Sequence, residues 1–579
     1  MSWSRWGAAA VLLGAACVLA CRVVAGHTEA FNWDELSLLD RVQRSITSGA
    51  LVGGGRPGLA VLVLWPLVAD CLDEVAVLHT ARLLWQALTG LYVLGLFVLL
   101  RDALKRAGSP HPFHNAALGA ALVCLSPVFH RWSLQIRTDQ LALAAAIWGA
   151  VLLLRSRTPL VALGGALLGV GFLASQKAVY VAALATVLSV VVGAAPRWRT
   201  IATRLGLALA VSAALVGAFY GAHALSVDTP AASGFGQDLS KGMRSLSAHG
   251  DVFGYATYLH ILLKHPPHLL LLGLLLVATL PAMRRATPST HVGPAWIVLG
   301  LGLLVALFHR SAFAYFWMTL AAFLAVGVAL GADAIFQMFQ KPRVRRMAQL
   351  GIWAMLVLLW LPGAARTLTD AQAIQRSSYA FIQHSFERTE QGFQLEGGLF
   401  CRQPEEPMPV LMYLSVLRHF GGPNSEANVR WMQQQFRERP IAYMLGSHTL
   451  RLFPFPAELK KFWHERYVTY HGPVMVPGRR LDGRAATTLD FEVLVPGHYR
   501  VIRRPDAPAP RLRIDGVELP TDQPFELARG THAIELASDV AGALLVWHLD
   551  APPQPRPDLP FYDELQQHEI AVVGAPTVR

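Results

Sequence analysis

Residues 1 to about 366 form a succession of long apolar segments, separated by short loops that carry clusters of Lys and Arg. A helix that crosses a bilayer needs about 20 apolar residues, and somewhat fewer where it is short or ends inside the protein. Charged residues make up 15% of the 579 residues and hydrophobic residues 53%, whereas soluble domains contain about 25% charged residues. The sequence therefore predicts a polytopic α-helical membrane protein.

Eleven segments qualify as transmembrane helices. They are residues 7–26, 79–101, 116–130, 139–155, 159–175, 178–195, 204–225, 268–283, 293–308, 312–333 and 348–366. The segment 56–72, RPGLAVLVLWPLVADCL, is also apolar, but Pro66 interrupts it. If this segment lies along the membrane surface, the later basic clusters all fall on one face, which the positive-inside rule makes cytoplasmic. We therefore predict about eleven transmembrane helices, with the chain after residue 366 outside the cytoplasm.

The chain after residue 366 has a different pattern. Residues 367–466 mix helical stretches with a short buried-strand candidate, which predicts an α/β region. Residues 467–579 alternate apolar and polar positions between Pro, Gly and Asp turns, a pattern typical of short antiparallel strands. In IDGVEL, residues 514–519, Asp515 and Gly516 predict a hairpin turn. We expect three domains, 1–366, 367–466 and 467–579, the last of them resembling a β-sandwich.

Charge and cysteine usage exclude some classes of function. The formal net charge is +12, but Lys and Arg lie mainly in short loops between apolar helices, so they indicate topology and no nucleic-acid partner is expected. The five cysteines have neither disulfide-framework nor zinc spacing, and we interpret them as packing residues: Cys17, Cys21, Cys71, Cys124 and Cys401. KHPPH, residues 264–268, has no carboxylate at ligand spacing, so we assign no metal site.

An acidic pair, Asp34 and Glu35, follows the first apolar segment where it meets the outer aqueous face. Acidic residues are favourable at a helix N-terminus, which is the structural explanation. A carboxylate at a lipid interface can also serve as general base for a hydroxyl while nearby cations hold a phosphate. Arg56, in the Gly-rich stretch GGGRPG, is a further charged residue of the outer face.

Further ionisable residues lie at the same face. Arg137 and Asp139 lie at the outer end of the fourth apolar segment, and Lys177 is the one charge in GVGFLASQKAVYVAALATV. Charged groups at a membrane boundary usually face a partner or a watery cavity. The alternatives are a salt bridge between Arg137 and Asp139 and snorkelling of Lys177 to lipid headgroups. His309, in FHRSAFAYF, leaves the same choice open.

Five stretches in this order resemble the GT-C membrane glycosyltransferases over roughly residues 1–366, in particular the bacterial group that includes protein O-mannosyltransferases and lipid A aminoarabinose transferases. They are WDE after the first segment, GRPGLAVL, RTDQLALA, SQKAVYV and HRSAFAYFWMTLAAFLAVG. The resemblance implies an inverting enzyme of the inner membrane that takes a sugar from a polyprenyl-phosphate carrier at the outer face. The acceptor would be a hydroxyl of a lipid, glycan or protein.

The resemblance also implies roles for individual residues. Asp34 would deprotonate the acceptor hydroxyl, with Glu35 beside it as a second catalytic candidate. Asp139 would orient the cations. The donor phosphate would be bound by Arg56, Arg137, Lys177 and His309. Some members of the superfamily use a divalent metal and others do not, so the cofactor stays unassigned.

Two other classes of function remain open from the sequence. A transporter or flippase for lipid-linked sugars would need charged residues along a path through the membrane, whereas most of those here lie at its edges. A noncatalytic envelope assembly protein would rely on the β-rich region after residue 466.

Overall fold

The computed structural model divides the chain into two compact units. The first comprises Met1–Cys71 and Ala76–Ala371, and the second Leu72–Val75 and Gln372–Arg579. The predicted domain boundaries after residues 366 and 466 stay predictions. The residues that the structure describes are 17–18, 20–29, 31, 33–48, 58–71, 73–155, 157–192, 198–226, 292–309, 316–339, 341–366, 372–387, 391–394, 426–445, 456–503 and 509–550.

The described part of the first unit is helical. Helix α1 is described over residues 20–28. The helices that follow are α2 (Trp33–Ser48), α3 (Leu59–Val68), α4 (Glu74–Arg106), α5 (Pro112–Cys124), α6 (Pro127–Ser133), α7 (Thr138–Leu154), α8 (Thr158–Ala174), α9 (Ala178–Val191), α10 (Trp198–Ser226), α11 (Val292–Phe308), α12 (Trp317–Met338) and α13 (Pro342–Arg366).

Within the described ranges, three helical segments are long and apolar enough to cross a bilayer on their own: Glu74–Arg106, Trp198–Ala222 and Pro342–Pro362. Several other apolar helices are shorter, between 10 and 17 residues. The predicted span 268–283 lies outside the described residues. The apolar helices agree with a polytopic membrane protein, and the number eleven stays a prediction.

Helix α3 covers most of the ambiguous segment 56–72. Its 10 residues extend about 15 Å at 1.5 Å per residue, which is about half of a bilayer core. Pro66 lies inside it, and Ala60, Val61, Leu64 and Val68 are buried. The position of this segment along the membrane surface stays a prediction.

Helices α4, α7, α9 and α12 share a large apolar core, to which they contribute Leu96, Ile147, Val181 and Phe323 among others. Helices α7 and α8 approach each other closely at two glycines. A Cβ atom on Gly149 would lie 2.9 Å from the Gly164 carbonyl oxygen, and one on Gly164 would lie 2.9 Å from the Gly149 oxygen. Glycine at both positions lets the two backbones meet, as small residues do in membrane helix pairs.

The second unit contains three described helices and eleven strands. The helices are α14 (Ala373–Ser385), α15 (Glu426–Glu438) and α16 (Ala457–His464). The strands are β1 (Gln391–Gln394), β2 (Ile441–Leu445), β3 (Tyr467–His471), β4 (Val474–Gly483), β5 (Thr488–Val493), β6 (Gly497–Ile502), β7 (Leu512–Ile514), β8 (Val517–Leu519), β9 (Phe525–Leu527), β10 (Gly530–Leu536) and β11 (Val540–Trp547).

The strands form two sheets. The larger has the order β1-β2-β4-β11-β6-β9, with β3 also paired to β4, and the smaller has the order β5-β10-β7-β8. Leu481, Tyr499 and Leu545 of the larger sheet share one buried core with Phe491 and Ile534 of the smaller. Two sheets around a common core are the arrangement expected of a β-sandwich. The larger sheet takes strands from both sides of the predicted boundary at residue 466.

The predicted hairpin at IDGVEL is confirmed. Strands β7 and β8 pair antiparallel, with Ile514 opposite Val517. Asp515 and Gly516 have φ values of 52° and 81°. A two-residue turn with both φ values positive matches the twist of the flanking strands, and Asp-Gly is a preferred pair for it.

One cysteine differs from our interpretation. Cys71, which follows α3, is disulfide-bonded, so the interpretation of all five cysteines as packing residues is wrong for this one. Cys17, Cys21 and Cys124 are free thiols, and Cys401 lies outside the described residues. The spacing of the cysteines along the chain does not indicate this bond, because the two cysteines of a disulfide are brought together by the fold.

Candidate functional site

Three of the predicted site residues converge at the beginnings of two helices. Asp139 lies in the first turn of α7, Arg137 is the residue before that helix, and Lys177 is the residue before α9. Lys177 Nζ lies 2.9 Å from Asp139 Oδ1 and 3.0 Å from Oδ2, and Arg137 Nε lies 3.8 Å from Oδ2. Asp139 therefore holds both cations, Lys177 more closely than Arg137.

This cluster is largely shielded from solvent. The side chain of Asp139 is 5% exposed, that of Arg137 is 8% exposed and that of Lys177 is 20% exposed. Ser175 Oγ donates a further hydrogen bond to Asp139 Oδ1, at 3.3 Å. The three side chains themselves, two cations and one carboxylate, carry a net charge of about +1, since Arg and Lys are charged at neutral pH. A partly buried cluster of this charge suits an anionic ligand, because attraction between charges is stronger where water is excluded.

His309 lies beside the cluster, directly after α11. Its ring stacks on Phe316 with centroids 3.7 Å apart, and Lys177 Nζ lies 5.9 Å from the Phe316 ring centroid. His309 Nδ1 is 3.2 Å from the hydroxyl of Tyr180, on the first turn of α9. Burial, and then the nearby Lys177 ammonium, lower the pKa of His309 to about 3. The imidazole is therefore neutral at physiological pH and offers a hydrogen bond without a charge.

The lowered pKa of His309 predicts a pH effect on stability. The unfolded chain takes up this proton near pH 6.5, but the folded protein takes it up only near the pKa of about 3. The contribution of His309 to stability is therefore complete above about pH 6.5 and declines as the pH falls toward 3. Between pH 7 and pH 4.5, we expect the free energy of unfolding to fall by about 2 to 3 kcal/mol less in the His309→Gln variant than in the wild type.

Thermal unfolding of the two proteins in detergent at both pH values measures this difference. The two proteins are compared by how much the stability of each changes between the two pH values. This comparison cancels any loss of stability that the missing contact with Tyr180 causes equally at both pH values. An equal loss of stability in both proteins on acidification would contradict a neutral, buried His309.

The other predicted residues differ in how far the structure describes them. Glu35 lies in the first turn of α2 and is fully buried. Its two carboxylate oxygens accept hydrogen bonds from Arg82 Nε and Nη2, at 2.8 and 2.6 Å. Asp34 lies beside it on α2, but its side chain is outside the described part of the structure, as is the whole of Arg56.

Two residues near this region were not predicted from the sequence. Arg82 is the one Lys, Arg, Asp or Glu between Glu74 and Arg101, and it lies in an apolar helix. A single charge within an apolar stretch is the feature that marks Lys177 as a candidate, so the same feature of α4 indicates Arg82. Tyr180 carries no such signal, because a tyrosine at the end of a membrane helix is common at the interface.

Within the described ranges, no group of three His, Cys, Asp or Glu side chains lies close enough to hold a metal ion. Residues 264–268, where the sequence has KHPPH, lie outside those ranges. Of the predicted site, the structure thus brings together Arg137, Asp139, Lys177 and His309.

Comparisons with known proteins give matches among solved structures alone. No family model and no curated protein matches the chain. An oligosaccharyltransferase, AglB, from Archaeoglobus fulgidus, solved with an inhibitory peptide and a dolichol-phosphate, is 11% identical, with a TM-score of 0.49 over 76% of this chain and 70% of its own. ArnT from Cupriavidus metallidurans, bound to undecaprenyl phosphate, is 13% identical, with a TM-score of 0.39 over 78% of this chain and 95% of its own.

The arabinosyltransferase EmbB from Mycobacterium smegmatis is 12% identical, with a TM-score of 0.39 over 93% of this chain and 64% of its own.

Proposed function

We propose that this protein is an inverting glycosyltransferase that moves a sugar from a polyprenyl-phosphate donor to an acceptor hydroxyl at the outer face of the inner membrane. The observation that carries the proposal is the partly buried cluster of Arg137, Asp139 and Lys177, which joins two cations to one carboxylate. A phosphate on a lipid carrier is an anion held at the membrane boundary, and this cluster offers two cations at the start of membrane helices. The sequence motifs that resemble the GT-C enzymes support the same assignment.

The chemistry follows from these groups. The acceptor oxygen attacks the anomeric carbon from the face opposite the phosphate, and the bond between that carbon and the phosphate oxygen breaks. Asp34 takes the hydroxyl proton, and the polyprenyl phosphate leaves with the bonding electron pair. Arg137 and Lys177 stabilise the negative charge that develops on the phosphate, and Asp139 holds both cations in place before the substrate arrives.

His309 and Arg56 complete the proposed donor site in different ways. His309, neutral because of its low pKa, would donate or accept a hydrogen bond at the phosphate or the sugar. Arg56 would add a third cation, on the basis of its place before proline in GRPG. A divalent metal remains compatible with the reaction class, and none is assigned.

The disulfide at Cys71 supports the proposed orientation. Disulfides persist in oxidising compartments outside the cytoplasm. Cys71 is disulfide-bonded, and the predicted topology puts the end of α3 at the outer face. The same face carries Asp34, Arg137 and Lys177 in the predicted topology. The proposed acceptor, a lipid, glycan or protein hydroxyl, would be met there.

Binding of undecaprenyl phosphate to the purified protein in detergent tests the donor site. We expect Lys177→Met and Arg137→Gln each to weaken binding by about 10- to 100-fold, because each removes a charge-assisted contact worth about 1.5 to 3 kcal/mol. Arg155→Gln is the matched control. Arg155 pairs with Asp102 at 3.4 Å and is 45% exposed, and it lies at the predicted cytoplasmic end of α7.

Equal binding by the wild type, Lys177→Met and Arg137→Gln would overturn the donor site. The reaction itself is tested by comparing the glycans and lipid-linked sugars of a deletion strain with those of its parent, by mass spectrometry. A deletion that leaves every glycan unchanged, while a lipid-linked sugar accumulates on the cytoplasmic side of the membrane, would favour a flippase.

A further inference from the structure

The segment Ser133–Arg137, which joins α6 to α7, is buried and held in place through its own backbone. Leu134, Gln135, Ile136 and Arg137 are each less than 9% exposed. Side chains from α1, α2, α4 and α7 form hydrogen bonds with its peptide groups. Four of them donate to backbone oxygens: Arg22 Nη2 and Thr89 Oγ1 to that of Ser133 at 3.1 and 3.3 Å, Gln140 Nε2 to that of Gln135 at 2.6 Å, and Trp85 Nε1 to that of Arg137 at 2.5 Å. The fifth, Glu35, accepts a hydrogen bond at Oε1 from the Ile136 amide, at 3.0 Å.

Two of these anchors, Arg22 and Glu35, are ionisable and buried. Glu35 is 0% exposed and Arg82, which binds both of its oxygens, is 1% exposed. Arg22 is 6% exposed, and its Nη1 also donates to the Ser133 hydroxyl, at 2.9 Å. A buried ion pair is weak evidence for stability, because desolvation offsets most of its Coulomb attraction. The positions that these groups fix are therefore the better explanation for them.

The pair of Glu35 and Arg82 connects the two sides of the proposed reaction. Glu35 follows Asp34 on α2, and its Oε1 accepts a hydrogen bond from the backbone amide of Ile136, which precedes Arg137. Arg82 also donates to the carbonyl oxygens of Gly26 and Glu29, at 3.1 and 2.7 Å. One guanidinium thus fixes the end of α1, the start of α2 and, through Glu35, the segment before α7.

We infer that Glu35 and Arg82 are positioning residues, which hold the helix that carries Asp34 and the segment that carries Arg137 at a fixed separation. The inference rests on the proposed function, in which Asp34 acts on the acceptor and Arg137 on the donor phosphate. Both oxygens of Glu35 are engaged by Arg82 and the Ile136 amide, so this carboxylate is placed to orient its neighbours. Small displacements of such groups lower reaction rates strongly, because the reacting atoms must meet within about 3 to 3.5 Å.

The variants Glu35→Gln and Arg82→Lys test this role with small changes of size. Glu35→Gln keeps an oxygen for the Ile136 amide but loses the charge that holds Arg82. Arg82→Lys keeps the charge but loses the planar fork that binds both oxygens of Glu35. Asp40→Asn is the control, because Asp40 lies on the same helix and pairs with Arg44 at 2.6 Å, and it takes no part in the contacts to Ser133–Arg137 given above.

Two measurements are made on the full chain in detergent. Hydrogen–deuterium exchange of peptides that cover residues 133–137 reports whether the segment has loosened. Binding of undecaprenyl phosphate reports whether Arg137 is still presented correctly. We expect exchange to rise by about tenfold and affinity to fall by about five- to tenfold in both variants, while Asp40→Asn changes neither.

The outcomes separate this inference from the proposed function. If undecaprenyl phosphate binds the wild type, Lys177→Met and Arg137→Gln equally, the proposed donor site fails, and the inference fails with it. If Arg137→Gln weakens binding but Glu35→Gln and Arg82→Lys do not, the inference alone is overturned. Faster hydrogen–deuterium exchange in Glu35→Gln and Arg82→Lys would then show that these two residues have only a structural role. Unchanged exchange in both variants also overturns it.

Discussion

The Asp34→Asn variant is expected to lose sugar transfer by about 10² to 10⁴-fold, the range that a positioned general base contributes. Asparagine has nearly the same size as aspartate and is also favourable at the start of a helix, so α2 and the contacts of Glu35 should persist. The loss would then arise from the missing proton acceptor. The measurement is the restoration of the missing glycan, by mass spectrometry, in a deletion strain that carries the variant gene.

The control for this experiment is Asp40→Asn, which removes a carboxylate from the same helix away from its first turn. Equal amounts of both variants in the membrane, and undecaprenyl phosphate affinity within about twofold of the wild type, separate catalysis from folding and donor binding. Restoration of the glycan by Asp34→Asn to the level of the wild type would remove Asp34 from the role of base.

The Asp139→Asn variant is expected to have the largest effect on stability. Removing one member of a buried ion pair costs about 3 to 5 kcal/mol, because the remaining charge is left without compensation. Here Lys177 and Arg137 would both lose the carboxylate that holds them. We therefore expect a clear fall in the thermal unfolding temperature of the variant in detergent.

An anion should restore part of this stability. Undecaprenyl phosphate that binds the folded protein stabilises it by mass action, and in Asp139→Asn its phosphate would supply a negative charge in place of the lost carboxylate. We expect a larger rise in unfolding temperature on adding this lipid to the variant than to the wild type. The control is Asp102→Asn, since Asp102 pairs with Arg101 and Arg155 and is 17% exposed. An Asp139→Asn protein that unfolds at the temperature of the wild type would contradict the central place of Asp139.

Part of this site follows from the sequence, since a charge inside an apolar segment is conspicuous without any structure. Lys177 is the clearest case, and Arg137 and Asp139 share its position at a helix start. Their pairing does not follow from the sequence, because Asp139 and Lys177 are 38 positions apart and meet only through the packing of α7 and α9. Glu35 and Arg82, 47 positions apart, meet for the same kind of reason.

The fold divides in a similar way between local and distant information. The hairpin at Asp515 and Gly516 depends on two residues with positive φ, so its sequence is enough to predict it. The parallel pairing of β1 with β2, inside an otherwise antiparallel sheet, was not predicted. A parallel pair needs a long crossover connection, and no local pattern in QGFQ or IAYML states which strand will be the neighbour.

The place of β11 in the larger sheet has a consequence for the synthesis of the protein. Strand β11 is the last strand that the structure describes, yet it lies between β4 and β6 and pairs with both. While the ribosome is still translating the preceding residues, β4 and β6 each lack this partner, and their unpaired edges are open to other chains. The sheet is thus completed only after residue 547 has emerged, and a nonsense codon before Val540 would leave a nascent product prone to aggregation.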